Sequence, residues 1–114
     1  MPLLDVKISK SLDAAKSDQL HTELTNLAAS ALGKPAMYVM ISVATQSDLW
    51  MGGRKLDDGA YVQVKAFGSI SDSQAQTFAR KATDLLDSEF GLSPAGIYIS
   101  FEGFEQWAWQ GNLF

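Results

Sequence analysis

The N-terminal stretch Met1-Pro2-Leu3-Leu4-Asp5-Val6-Lys7-Ile8 decides how the rest of the chain is arranged. Residues 3–8 place Leu4, Val6 and Ile8 on one side and more polar residues on the other. This period-two alternation is typical of a strand with at least one buried face. We therefore predict that the chain opens with a core strand, which would hold Pro2 in a fixed position.

Pro2 is of chemical interest because removal of Met1 would leave it with a free secondary amine. An α-amino group has a pKa of about 7.7–8.0 before any burial, which suits a general base. With Met1 retained, the nitrogen of Pro2 is an amide without basicity. These two residues alone are also compatible with an N-terminal segment that has no chemical role.

The remaining pattern predicts two helices and three further strands. Apolar residues at helical spacing indicate a helix from about 12 to 32, and Gly33 and Pro35 end it. Ser71 and Gln74 resemble the capping box of a second helix, which Gly91 and Pro94 end. Strands are predicted over 37–43, which should be buried, and over 61–67 and 96–101, with a hairpin or loop in the turn-rich stretch 45–59.

The two halves of the chain resemble each other. A shift of 58 residues superimposes Val6 on Val64 and Gly33 on Gly91, and two extra residues then bring Tyr38 onto Tyr98. We predict a single α+β domain over 1–114, in which two β-α-β units, about 2–58 and 60–114, form a four-stranded mixed sheet with both helices on one face. The apolar runs of the second and fourth strands imply burial on both faces, which favours oligomerisation.

The tail from 101 to 114 contains five aromatic residues in fourteen. A segment this aromatic is typical of an interface or a pocket wall. A clamp that folds back on the chain's own core is the alternative.

Composition excludes several classes of function. The net charge of −4 argues against nucleic acid as a partner, and no apolar run is long enough to span a membrane. There is no cysteine, and the single histidine, His21, has no second histidine with which to form a metal site. We expect no metal and no organic cofactor. Without a signal-peptide pattern, the expected location is the cytoplasm.

Four features together resemble one protein family. Met1-Pro2 leads into an apolar strand, Gly33-Lys34-Pro35 joins a helix to a strand, Gly91-Leu92-Ser93-Pro94 precedes Ile97-Tyr98-Ile99, and the tail carries Trp109 and Phe114. In this order the chain resembles, over its whole length, the macrophage migration inhibitory factor family of the tautomerase superfamily. The resemblance implies a homotrimer whose sheets enclose a central channel, with three active sites at the subunit boundaries.

The resemblance also implies roles for individual residues. Pro2 is similar to the family's catalytic proline, and Lys34 is similar to the lysine beside it, where a cation would lower the pKa of the amine. Lys34 is also explained as a cation at a helix C-terminus. Tyr98 matches a tyrosine that the adjacent subunit supplies. The other positions that match substrate contacts are Phe67, Ser100, Trp107, Trp109 and Phe114.

The chain departs from the family pattern at several of these positions. Phe67 and Trp107 replace smaller aliphatic residues, so the pocket should be narrower or more aromatic and the activity weaker. Ser100 replaces an asparagine, so a side-chain hydrogen bond from this position would have a shorter reach. Gly59-Ala60-Tyr61-Val62 occupies the place of a Cys-x-x-Cys segment. Without thiols, a thiol oxidoreductase activity is excluded.

These observations lead to one main functional hypothesis and two alternatives. We expect a keto–enol tautomerase for aryl 2-oxo acids of the phenylpyruvate type, with Pro2 as general acid and base once Met1 is removed. The resemblance equally implies a cytokine-like binding protein with a vestigial pocket, an unidentified receptor and export without a signal peptide. Hydration or dehalogenation of a related acid is a third reading, but no constellation of Arg and Glu partners supports it.

Overall fold

Two long helices and a four-stranded sheet make up most of the computed structural model, which describes residues 1–114. The helices are α1 (Ala14–Leu32) and α2 (Asp72–Phe90), and single 3-10 turns lie at Ala36–Tyr38 and Pro94–Gly96. The strands are β1 (Pro2–Ile8), β2 (Met40–Ala44), β3 (Trp50–Met51), β4 (Arg54–Lys55), β5 (Ala60–Phe67), β6 (Ile97–Phe104), β7 (Ala108–Trp109) and β8 (Asn112–Leu113).

The main sheet has the order β2-β1-β5-β6 and mixes both kinds of pairing. β1 runs antiparallel to β5, with Pro2 opposite Ala66, whereas β2 pairs with β1 and β6 pairs with β5 in parallel. The predicted α+β fold with a four-stranded mixed sheet is thus confirmed. Because β1 is central, the N-terminal segment is enclosed by backbone on both sides.

One face of the sheet carries the core. Leu4, Val6 and Ile8 of β1 have no exposed surface, and alternate residues of β5 join them beneath both helices. Phe78 of α2 is also fully buried, and its ring meets that of Phe101 edge to face with a centroid separation of 5.9 Å. Burial of an aromatic side chain of this kind contributes roughly 1.5–3 kcal/mol, so this face fixes the register of the whole sheet.

Both helices begin and end with local signals that satisfy free backbone groups. The Asp13 side chain accepts from the backbone of Lys16, and the capping box of Ser71 and Gln74 is present as predicted. At the other ends, Gly33 and Gly91 adopt left-handed backbone conformations, with φ of 64° and 66°. Residues with a Cβ avoid this region, so glycine sets the point at which each helix turns back to the sheet.

The second strand differs from its prediction. It begins at Met40 instead of residue 37, because Pro35 opens a 3-10 turn in which Tyr38 and Val39 donate backbone hydrogen bonds to Pro35 and Ala36. β2 is also an edge strand, and Met40 is 67% exposed. The expectation of a buried second strand therefore fails within one chain, since no neighbour covers its outer side.

The elements of the second half follow those of the first at a constant offset. Helix α2 begins at residue 72, 58 residues after the start of α1 at residue 14. Strand β7 begins at residue 108, 58 residues after the start of β3 at residue 50. The registers agree as well, since Leu4 faces Ile41 while Val62 faces Ile99. The two extra residues assumed in the sequence comparison are therefore wrong, and Met40, not Tyr38, corresponds to Tyr98.

Neither helix is both long and apolar enough to cross a lipid bilayer. The helices instead pack against each other and against the core face of the sheet. The opposite face carries mainly polar and charged side chains from the central strands, including Asp5, Lys7, Gln63 and Lys65, which are exposed or half-buried. We call this second surface the open face of the sheet.

Candidate functional site

A cavity of about 480 Å³ opens at the start of β1. It is bounded by the N-terminal residues, the 3-10 turn that leads into β2, and the aromatic tail. Nine of its ten lining residues are hydrophobic. They are Met1, Pro2, Leu3, Met37, Tyr38, Val39, Met40, Trp107, Ala108 and Trp109. This composition is typical of a pocket for a small apolar or aromatic molecule.

Pro2 forms the floor of this cavity. Its side chain is buried, and its place in the sheet is fixed by pairing with Ala66 on β5. The Phe67 N–H donates to the carbonyl of Met1 at 3.3 Å, so the first residue is held in the sheet ladder as well. The chain start is therefore ordered by the same backbone pairing that builds the core.

Lys34 reaches the same region from the end of α1. Its backbone N–H donates to Ala29 in the turn that closes the helix, and this places the side chain toward the N-terminus of β1. Its Nζ donates to the carbonyl of Phe67 at 3.2 Å. Lys34 and Phe67 adjoin Met1 at the border of the cavity and are not among its ten lining residues.

The amino group at the chain start has a lowered pKa. Partial burial, and then the positive charge of Lys34, hold the pKa of the Met1 amino group below its usual value. Both causes disfavour the protonated form, because a cation loses hydration on burial and is repelled by a second cation. In this structure the amine belongs to Met1, and it stands in for the amine that Pro2 would carry after removal of Met1.

Aromatic side chains form the outer wall of the cavity. Tyr38 and Trp109 meet edge to face with ring centroids 5.4 Å apart, and Trp107 meets Phe104 at 5.7 Å. Pairs of this geometry contribute about 0.5–1.5 kcal/mol beyond their burial. Contacts between its own rings therefore stabilise the wall.

The last residue joins this group. The Phe114 N–H donates to the carbonyl of Trp107 at 3.0 Å, which follows from the pairing of β7 with β8. Its ring lies 5.4 Å from that of Phe67. The tail thus folds back beside the N-terminus and forms a pocket wall, whereas Leu113 and Phe114 stay 66% and 49% exposed and do not clamp the core.

The structure brings together most of the predicted site residues but separates two of them. Lys34, Phe67, Trp107, Trp109 and Phe114 surround Met1 and Pro2. Tyr98 and Ser100 lie elsewhere on β6, with β5 between them and β1, and they are level with Lys7 and Asp5, five and three residues along β1 from Pro2. At the rise of an extended strand, these separations along β1 are about 17 Å and about 10 Å. Within one chain, neither residue can contact a molecule bound at Pro2.

Sequence reasoning missed several residues of the cavity. The pattern predicts a buried strand for Met37, Tyr38 and Met40, yet all three line the cavity, because Met37 and Tyr38 lie in the 3-10 turn and Met40 begins an exposed edge strand. Pro35 was the sequence signal for this turn, because a proline disfavours continuous strand pairing at its position. Tyr38 is the most informative of these residues, since its ring contacts Trp109.

The equivalent place in the second half of the chain holds no such cavity. Ser9 donates its N–H to Gly59 just as Phe67 donates to Met1, so Gly59 and Ala60 correspond to Met1 and Pro2. There the side chain of Leu56 packs against Gly59 and Gly96 and fills the space. The nitrogen of Ala60 is a peptide amide within the chain, so this second place offers no base.

The structure contains no group of three or more His, Asp or Glu side chains arranged to hold a metal ion. Its two arginines, Arg54 and Arg80, are outside the cavity at the chain start. The cavity therefore offers one amine, one nearby ammonium group and an aromatic wall.

A four-stranded sheet built from two β-α-β units, with the chain start in a pocket beside a lysine, defines a protein of the tautomerase-superfamily fold. The profile of the family described as "Macrophage migration inhibitory factor (MIF)" matches residues 1–114. The chain belongs to this family, and the resemblance proposed from the sequence is confirmed.

Individual relatives agree with this assignment. Macrophage migration inhibitory factor of Meriones unguiculatus is 30% identical over 97 residues, which cover 83% of this chain and 84% of that protein. The crystal structure of a homologue from Prochlorococcus marinus is 29% identical, with a TM-score of 0.84 and 98% of each chain covered. MIF2 of Leishmania major is 25% identical, with a TM-score of 0.88, and the match covers all of this chain and 97% of that one.

Proposed function

We propose that this chain is a keto–enol tautomerase that acts on aryl 2-oxo acids of the phenylpyruvate type, with Pro2 as general acid and base. The observation that carries the proposal is the position of the chain start at an apolar cavity, where burial and then Lys34 lower the pKa of the Met1 amino group, which stands in for the Pro2 amine. An amine with a lowered pKa loses its proton more readily, so it can both accept and return a proton in the reaction. Membership of the family supports the same reading.

The proposed reaction moves one proton between carbon and oxygen. In the direction from ketone to enol, the neutral Pro2 nitrogen takes a proton from the carbon next to the carbonyl, the double bond shifts, and the protonated Pro2 gives the same proton to the oxygen. In the reverse direction, the neutral Pro2 nitrogen takes the proton from the enol oxygen and gives it to carbon as the carbonyl forms again. Both directions need Met1 to be absent, because an amide nitrogen cannot accept the proton.

The surrounding residues have defined roles in this proposal. The ammonium group of Lys34 pairs with the substrate carboxylate, and the aryl ring lies against the wall formed by Tyr38, Trp107 and Trp109. Phe67 and Phe114 close the border beside Lys34. No metal and no organic cofactor enters the scheme.

We further propose that the protein is a homotrimer. Met40 on β2 and Tyr98 on β6 are each 67% exposed on opposite edges of the sheet, where unpaired backbone favours association. Assembly through these edges would bring Tyr98 and Ser100 of one subunit to the cavity of the next. If light scattering measures a stable species with the mass of a single chain, both the trimer and the shared site are refuted.

The test of the enzymatic proposal is ketonisation of phenylpyruvate enol by protein whose intact mass shows the loss of Met1. We expect a rate above buffer, with Pro2→Gly lowering it by about 10²- to 10⁴-fold. Lys81→Gly is the control, because it introduces the same residue at an exposed position of α2. A rate indistinguishable from buffer, or a Pro2→Gly variant as active as the parent, would refute the proposal.

A binding function is the second candidate, and the relatives' names support it. Relatives from Meriones unguiculatus and Xenopus tropicalis are named macrophage migration inhibitory factors. On this reading the partner is an unidentified protein receptor, and Pro2→Gly should leave its binding unchanged. Retained binding together with an inactive pocket would favour this candidate over the enzyme.

A further inference from the structure

The phenol oxygen of Tyr61 meets two polar side chains on the open face of the sheet. Gln63 Nε2 donates to Tyr61 Oη at 3.1 Å, and Ser100 Oγ lies 2.9 Å from the same oxygen. Tyr61 and Gln63 are both on β5, and Ser100 is opposite Gln63 on β6. The register of two paired strands therefore holds both groups at one oxygen. We call these three residues the Tyr61 cluster.

The Tyr61 cluster suits an ionised phenol. A phenolate only accepts hydrogen bonds, an amide N–H only donates, and a serine hydroxyl can turn its proton toward an acceptor. Gln63 and Ser100 can therefore both donate to the Tyr61 oxygen once its proton is lost. Hydrogen bonds to a charged group are stronger than those between neutral groups. The cluster thus stabilises the ionised form of Tyr61 more than the neutral form.

The charges around Tyr61 act in the same direction. The hydrogen bonds of Ser100 and then Gln63 lower the pKa of Tyr61, burial opposes this shift, and the charges of Lys65 and then Lys7 add to it. Lys7 is directly opposite Tyr61 on β1. The titratable groups that share this face of the central strands and β6 are Asp5, Lys7, Lys65, Tyr98 and Glu102. Geometry and charge therefore agree that Tyr61 loses its proton more readily than an isolated tyrosine.

Space for a small molecule lies beside the Tyr61 cluster. A hollow of about 310 Å³ is lined by all three of its residues, by Lys65 and Glu102, and by Val64 and Phe101. Tyr61 is half-buried, and Ser100 is exposed. The hollow shares no lining residue with the cavity at the chain start. A small reagent can therefore reach the Tyr61 oxygen without entering that cavity.

We propose that Tyr61 is a nucleophilic site at which activated acyl donors form an ester with the phenol oxygen. The Tyr61 oxygen attacks the acyl carbon, a carbon–oxygen bond forms, and the bond to the leaving group breaks with its electron pair. The leaving group takes up the proton that Tyr61 lost, and nothing is oxidised or reduced. A side-chain nucleophile is activated in this way when its surroundings favour the ionised form.

The probe is N-acetylimidazole, and N-acetyltyrosinamide in the same solution is the reference phenol. The folded protein is treated briefly near neutral pH, and mass spectrometry of its peptides measures acetylation at each tyrosine. Hydroxylamine removes acetyl groups from phenols but not from lysines, so it separates a Tyr61 ester from acetylated Lys65. We expect Tyr61 to react about 3-fold faster than the reference, although it is half-buried.

Two variants test whether the Tyr61 cluster causes this reactivity. One hydrogen bond changes an equilibrium about 2- to 10-fold, but a more acidic group is also a weaker nucleophile, which offsets about half of the gain on a logarithmic scale. Gln63→Leu and Ser100→Ala should therefore each slow acetylation of Tyr61 by about 2- to 3-fold. Ser42→Ala is the matched control, because Ser42 is on β2 at the other edge of the sheet.

The unfolded chain is the control for local sequence. In urea, Tyr61 should react at the rate of the reference, because the strand register that holds Gln63 and Ser100 is lost. Where a variant does not fold, this comparison within the parent protein tests the same point. Folded Tyr61 that reacts no faster than the reference would overturn the inference.

Two other results would overturn it as well. The first is an equal excess of Tyr61 acetylation in urea, which would assign the reactivity to neighbouring residues in the sequence. The second is a rate that neither Gln63→Leu nor Ser100→Ala changes. None of these measurements uses a 2-oxo acid, so their outcomes leave the proposed function unaffected.

Discussion

The Nζ of Lys34 donates a hydrogen bond to the backbone carbonyl of Phe67 at 3.2 Å. This contact joins the end of α1 to the end of β5, and the Phe67 N–H in turn bonds the carbonyl of Met1. One lysine therefore ties the helix to the strand that holds the chain start. Its charge also contributes to the lowered pKa of the amine there.

Replacement of Lys34 should change both the pH profile and the efficiency of the proposed reaction. In Lys34→Met the pKa of the chain-start amine rises, because one of its two perturbing causes is lost. The base is active when neutral, so the acidic limb of kcat/KM against pH should move to higher pH. Loss of a charged hydrogen bond to the substrate, worth about 1.5–3 kcal/mol, should lower kcat/KM by about 10- to 150-fold.

Lys34→Arg is the matched control for this measurement. It retains the positive charge, so the acidic limb should stay close to that of the parent even where the new geometry lowers kcat/KM. A Lys34→Met profile that coincides with the parent's would contradict the assignment of the amine as the base.

Retention of Met1 should abolish the activity. In that form the Pro2 nitrogen is an amide, and the Met1 side chain also forms part of the cavity wall. We expect the rate to fall by about 10²- to 10⁴-fold, the usual contribution of a general base. Mass spectrometry of the two forms, followed by the ketonisation assay on each, checks this expectation. Equal rates would assign the base to another group.

Trp107 should limit the size of the aryl group that the site accepts. Trp107→Val opens the wall beside Phe104, so bulkier aryl acids should gain access. We expect the ratio of kcat/KM for indole-3-pyruvate to that for phenylpyruvate to rise about 10-fold, in the range that pocket-shape changes produce. Trp50→Val is the control, because Trp50 is 60% exposed on the other hairpin and outside the cavity. An unchanged ratio in Trp107→Val would place the size limit elsewhere.

Gly103 on β6 should tolerate no side chain. A Cβ at this position would collide with the carbonyl oxygen of Gly68, a backbone atom that cannot rotate away. Gly103→Ala should therefore destabilise the protein by about 1–3 kcal/mol, the usual cost of overpacking. Urea unfolding measures the change. The neighbouring exposed residue supplies the control, since Glu102→Ala should alter stability by less than about 0.5 kcal/mol.

The sequence alone determined the elements and their order. Alternation in Leu4, Val6 and Ile8 predicted the central strand, and the capping box at Ser71 with the glycines at 33 and 91 predicted where the helices begin and end. These features are local, because they depend on side-chain periodicity and on backbone conformations that only certain residues adopt. The family resemblance separately suggested that Lys34 lies beside Pro2, and in the structure Lys34 bonds the carbonyl of Phe67, whose N–H bonds Met1.

Only the tertiary structure decided which residues share a site. It placed Tyr38 on the wall with Trp109, although the pattern of its segment had suggested a strand, because a 3-10 turn after Pro35 rotates it toward the cavity. It also separated Tyr98 and Ser100 from Pro2 and joined Ser100 to Tyr61. Such contacts depend on strand order and register. These arise from packing across the whole sheet, so no single segment of the chain determines them.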